Sequence, residues 1–132
     1  MTVQQPLVSV VDDDESVRES LPDLLRGCGF LVQAFSSAEE FLASEALGQT
    51  RCLILDIAMP GMTGPALHQE LRSRRLGIPV VYITARRDET VRPRLLAQGA
   101  VECLFKPFGE AALLDAVRAA LRLPYRRHAG AT

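Results

Sequence analysis

Five residues close otherwise apolar runs with groups that can do chemistry. Asp12 and Asp13 follow Leu7 to Val11, Asp56 interrupts the run Cys52 to Ile57, Thr84 ends Val80 to Thr84, and Lys106 follows Val101 to Phe105. An acidic residue after a strand is commonly only a loop residue or a helix cap. That reading covers Asp14 and stands as an alternative for Asp12 and Asp13. Asp56 is different, because a carboxylate partly buried beside two others is unfavourable without a cation. Three carboxylates that keep several waters suit octahedral Mg²⁺, with Lys106 as a second counter-charge. No Cys pair or His pair is placed to bind zinc. A carboxylate beside a hard cation, an ammonium and a hydroxyl is equipment for phosphoryl transfer onto Asp56. Metal and lysine would neutralise the equatorial oxygens, Thr84 would donate to one of them, and Asp56 would attack in line. The resulting aspartyl phosphate would add ~1.5 to 2 negative charges to the site.

The elements that must position these groups alternate in type. Strands are expected at Leu7 to Val11, Leu31 to Phe35, Cys52 to Ile57, Val80 to Thr84 and Val101 to Phe105. Helices are expected from Glu15 to Arg26, from the Ser36-Ser37 cap to Leu47-Gly48, from Pro65 to Arg75, up to Gln98-Gly99, and from Glu110 to Leu123. Pro22 falls inside the first helix and should kink it. Pro93 is tolerated only in a first turn, which predicts that the fourth helix begins near Thr90 rather than at Asp88. Five strands interleaved with five helices imply an α/β fold, a doubly wound parallel sheet of the flavodoxin-like order 2-1-3-4-5. In such a sheet ligands sit beyond the carboxyl ends of the strands, where the polar residues above collect.

Composition sets the bounds. The 132 residues, 48% hydrophobic and 23% charged, fit one globular domain, read as 1–124 with a short tail from Tyr125 to Thr132. No apolar run approaches the ~20 residues of a membrane span, and Met1 to Gln5 lacks the features of a secretory signal, so a cytoplasmic protein is expected. Cys28, Cys52 and Cys103 are widely spaced and read as small buried hydrophobes. A net charge of -1 gives no push toward nucleic acid. Of 15 basic residues, 14 are Arg and one, Lys106, is Lys; an ammonium with a particular task is one explanation, and Arg-rich usage is another.

The motifs Val10-Val11-Asp12-Asp13-Asp14, Leu55-Asp56-Ile57-Ala58-Met59-Pro60-Gly61-Met62-Thr63-Gly64, Ile83-Thr84-Ala85 and Lys106-Pro107-Phe108 occur in that order. With them the chain resembles the receiver domains of bacterial two-component response regulators, most closely the nitrogen-fixation regulator subfamily, from about Pro6 to Leu123. The resemblance implies that Asp56 is the phosphoacceptor, supplied by a phosphohistidine of a sensor histidine kinase. It implies that Asp13, Asp56 and the backbone carbonyl of Ala58 ligate Mg²⁺, with Asp12 acting through water. Thr84 would move toward the phosphoryl group and Lys106 would pair with it. The Lys106-Pro107 bond would be cis, and Ala85 would leave the phosphate accessible. Receivers usually carry Tyr or Phe three residues before the lysine. Here that position is Cys103, and Phe105 is too near Lys106 to count as the same switch. The loop after Thr84, with Arg86 and Arg87, is then expected to carry more of the signal.

Two other readings share parts of this constellation. A phosphatase of the haloacid dehalogenase type needs a second carboxylate two residues after its nucleophile, and Ala58 stands there. A non-phosphorylated binding module would not need Asp13, Asp56, Thr84 and Lys106 together. Arg118, Arg122, Arg126 and Arg127 recur along the last helix and tail. They read as a solvated face, an ion-paired dimer face, or the approach to a further domain. A homodimer through the fourth helix, fifth strand and fifth helix is one candidate assembly. With no helix-turn-helix of its own, the chain is not expected to bind DNA directly.

Overall fold

A computed structural model of the chain describes residues 5–123. The expected tail, with Arg126 and Arg127, and the boundary after Pro124 lie outside the described residues. Five strands, β1 (Leu7–Val11), β2 (Leu31–Phe35), β3 (Thr50–Asp56), β4 (Val80–Thr84) and β5 (Glu102–Phe105), form one parallel sheet in the order β2-β1-β3-β4-β5. The expected topology is therefore observed, and β1, β2 and β4 have the expected bounds. Every residue of β1 and β4 is buried, as continuous apolar runs in a sheet covered on both faces require.

The pleat divides the core in two. Leu7, Val11, Leu53, Leu55, Val80, Tyr82 and Cys103 point to one face. There they meet Phe41 of α2 (Ala38–Leu42), Leu67 and Leu71 of α3 (Gly64–Ser73) and Leu95 of α4 (Val91–Ala97). Val8, Val10, Ile54, Val81 and Ile83 point to the other. That face is covered by Leu21 and Leu25 of α1 (Glu15–Gly27) and by Leu113, Val117 and Ala120 of α5 (Glu110–Arg122).

Local departures have local causes. The single helix expected from the Ser36-Ser37 cap to Gly48 is two pieces, α2 and a 3-10 turn at Glu45–Gly48. Ser44 is extended, at φ -92° and ψ 153°, and its hydroxyl accepts from Ala46 N–H, so it ends one helix and caps the next. Thr90 occupies the cap position of α4 and Pro93 its first turn, as expected. Asp88, just outside, accepts from the N–H and hydroxyl of Thr90 at 3.0 and 2.7 Å. Helix α1 runs through Pro22 without interruption, and Pro22 is buried with Leu21 and Leu25. Cys52 and Cys103 are buried, but Cys28, at the end of α1, is only half-buried.

Candidate functional site

The direction of the chain's crossovers reverses between β1 and β3, and the carboxyl ends of these strands carry Asp12-Asp13 and Asp56. With Thr84 from β4 and Lys106 after β5, these residues line one cleft of about 210 Å³, joined by Ala58 and Arg86. The structure thus brings together every side chain expected at the site. Asp12 is fully buried, Asp56 is 7% exposed and Thr84 3%, whereas Asp13 is open to solvent.

Lys106 is not where charge balance alone would place it. Its Nζ lies 2.9 Å from Asp12 Oδ2, not against Asp56. The other Asp12 oxygen accepts from Asp14 N–H at 2.8 Å, and Arg18 donates to the Asp12 carbonyl at 2.8 Å. Asp12, the carboxylate without any exposure, thus takes the ammonium. Burial works against the Lys106 charge, yet the hydrogen bond and charge of Asp12, with Asp56 and Asp14 behind it, hold its pKa above the ordinary lysine value.

Asp56 has no ion-pair partner among the described residues. Burial pushes its pKa up to about 7, the Asp12 charge and contact with Asp13 push the same way, and Lys106 only partly opposes them. Ligand oxygens of Asp12, Asp13 and Asp56 all lie within 4.8 Å of one another, two buried and one exposed. An all-oxygen set with one open side fits a hard divalent cation that retains waters. Thr84 Oγ1, at the end of β4, accepts from Arg86 N–H at 3.1 Å.

The loop that follows Asp56 folds back on the strand. Gly64 N–H donates to the Ile57 carbonyl at 2.9 Å, and a Cβ on Gly64 would come within 2.3 Å of the Asp56 carbonyl oxygen. The cis Lys106-Pro107 bond is present as expected.

Two residues escaped sequence reasoning. Glu39 reads as an acidic first turn of α2, yet its Oε2 accepts from Met62 N–H in the loop after Asp56. Tyr82 reads as one more apolar position of β4. Its ring is fully buried, pairs in register with Cys103, and its hydroxyl lies 3.1 Å from His68 Nδ1 on α3. Strand alternation, which puts Tyr82 on the same face as Thr84, was the available signal.

Residues 8–118 match the response regulator receiver domain family. The chain belongs to that family. It is a receiver domain of two-component response regulators, a signalling domain. Nodulation protein W of Bradyrhizobium diazoefficiens is 42% identical over 121 residues, spanning 92% of this chain and 53% of that protein. Response regulator protein TodT of Pseudomonas putida is 36% identical over 131 residues, 99% of this chain and 58% of its own. Among solved structures, the response regulator StyR is 48% identical with a TM-score of 0.82, over 90% of this chain and 60% of that one. FixJ-N is 33% identical with a TM-score of 0.83, over 95% of this receiver and 100% of its own chain. The receiver spans little more than half the length of the curated relatives it matches. Among the described residues no helix is long and apolar enough to cross a membrane.

Proposed function

We propose that Asp56 accepts a phosphoryl group from the phosphohistidine of a sensor histidine kinase, and that the aspartyl phosphate switches a protein-binding surface. The observation that carries this reading is a buried carboxylate, Asp56, set in one cleft with Asp12, Asp13, Thr84 and Lys106. An Asp56 oxygen attacks phosphorus in line, and the phosphorus–nitrogen bond to the donor imidazole breaks with its electron pair staying on nitrogen. Mg²⁺ held by Asp13, Asp56 and the Ala58 carbonyl, with Asp12 acting through water, would neutralise charge on the phosphoryl oxygens. Lys106 reaches the same oxygens from its place on Asp12, a short swing for a flexible ammonium stem. The Thr84 hydroxyl donates to one of them.

In this reading the chain promotes only its own phosphorylation and dephosphorylation, and does not bind DNA directly. The switched surface is the face of α4, β5 and α5, with a second copy of the chain as a candidate partner. Arg118 and Arg122 are exposed on α5. Incubation with acetyl phosphate and Mg²⁺ should add one phosphoryl mass to the wild type, none to Asp56→Asn, and none to the wild type in a chelator. Unchanged wild-type mass in the presence of Mg²⁺ defeats the proposal. Sizing chromatography with beryllofluoride tests the dimer separately.

A further inference from the structure

The loop after Asp56 is fastened at two points. One is the contact of Gly64 with the Ile57 carbonyl and the Asp56 backbone. The other comes from a different element: Met62 N–H donates to Glu39 Oε2 of α2 at 3.0 Å, across 23 residues of sequence. Gly61 fits that second fastening in two ways. Its φ is +75°, where a side chain is strained, and a Cβ there would lie 2.9 Å from the same Glu39 oxygen. Between the two fastenings lie Ala58, Met59 and Pro60. Glu39 is exposed and makes no ion pair among the described residues, so its carboxylate is committed to this backbone N–H. Glu40 has a separate task, accepting from the N–H and hydroxyl of Ser36 at 2.7 and 3.1 Å.

We propose that Glu39 is a positioning residue for the phosphorylation site: by holding Met62 N–H it fixes the loop that presents the Ala58 carbonyl, and so sets the affinity for Mg²⁺. The inference rests on the cation reading above. A side-chain ligand can reach its ion by changing rotamer, but a backbone carbonyl goes where its loop goes. A loop fastened at one end only must be ordered when the ion binds, and that ordering weakens binding.

The test is a calorimetric titration of Mg²⁺ into the full chain, with amide exchange at Met62 measured in the metal-free protein. Glu39→Ala should raise the Mg²⁺ dissociation constant about three- to tenfold, the range spanned by the net contribution of one ordinary hydrogen bond. It should also speed exchange of the Met62 amide. With acetyl phosphate, the half-saturating Mg²⁺ concentration should rise in proportion while the rate at saturating Mg²⁺ is unchanged. Glu39→Gln keeps an acceptor oxygen and should stay near wild type in both readouts, and Glu40→Ala should loosen α2 without changing Mg²⁺ affinity. Wild-type affinity in Glu39→Ala overturns the inference. So does equal weakening by Glu39→Gln, which would point to long-range charge, or by Glu40→Ala, which would point to general loosening of α2. A wild-type chain that takes no Mg²⁺ defeats the cation reading itself, whereas normal wild-type binding with an unaffected Glu39→Ala defeats only the role of Glu39.

Discussion

Asp56 and His68 are buried to nearly the same extent, 7% and 6% exposed, and burial disfavours the charged form of both, yet only His68 has a buried neutral partner. Around Asp56, burial and the Asp12 carboxylate push the pKa up to about 7, and no cation among the described residues pairs with it. Around His68, burial lowers the ring's pKa to about 4, the Arg72 charge adds to the effect, and the neutral ring shares a hydrogen bond with Tyr82. Burial also raises the Tyr82 hydroxyl well above its ordinary value, so both partners stay uncharged. The His68 site is complete in itself. At the Asp56 site burial and the neighbouring Asp12 carboxylate make ionisation costly, and the open side lies toward Asp13.

The largest expected effect breaks the complete site. Tyr82→Ala should lower stability by about 3–5 kcal/mol, as for other large buried rings, read from the denaturant midpoint. Tyr82→Phe should cost about 1–3 kcal/mol, the penalty for leaving His68 Nδ1 unpaired. If Tyr82→Phe costs nothing, the hydrogen bond to His68 contributes nothing and the contrast with Asp56 weakens.

Asp56→Asn should have the opposite sign, stabilising the metal-free chain by on the order of 2–4 kcal/mol at pH 8. Between 3.8 and about 7 the folded chain binds more protons at Asp56 than the unfolded chain does. The stability of the protonated form is therefore full below that window and is lost as pH climbs through about 7. Added Mg²⁺ at 100 times its dissociation constant should return about 2.7 kcal/mol to the wild type and much less to Asp56→Asn, visible as a shift in Tm.

His68 works in the other direction, because its folded pKa of about 4 lies below the ordinary 6.5. Stability from the neutral ring is present above about 6.5 and lost as pH falls toward 4. In Asp56→Asn this acid limb stands alone, so stability should rise with pH across that window. In His68→Gln only the Asp56 limb remains, and stability should fall. Matching slopes in the two variants would show that neither group governs the profile. The smallest effect belongs to the exposed face: Arg118→Ala should change stability by no more than about 0.5 kcal/mol in a thermal melt.

Much of this was legible in the chain because it is written locally. Apolar runs of strand length at Leu7–Val11 and Val80–Thr84, separated by helical segments, specify a covered parallel sheet. The topology of that sheet collects whatever polar residues end its strands, so the chain alone gathers Asp12, Asp13, Asp56, Thr84 and Lys106. The break in α2 at Ser44 was less legible, because a serine within a helical stretch reads equally as a surface residue.

The sequence by itself determined the sheet, its order and which polar residues meet in one cleft, since strand periodicity and crossover handedness leave few other arrangements. Only the tertiary structure decided the pairings. It gives Lys106 to Asp12 rather than Asp56, ties Glu39 to Met62 across 23 residues, and sets the Tyr82 hydroxyl on His68 beside Cys103. These are contacts between elements distant along the chain, chosen by close packing and by the need to partner each buried polar group, and no local pattern encodes them.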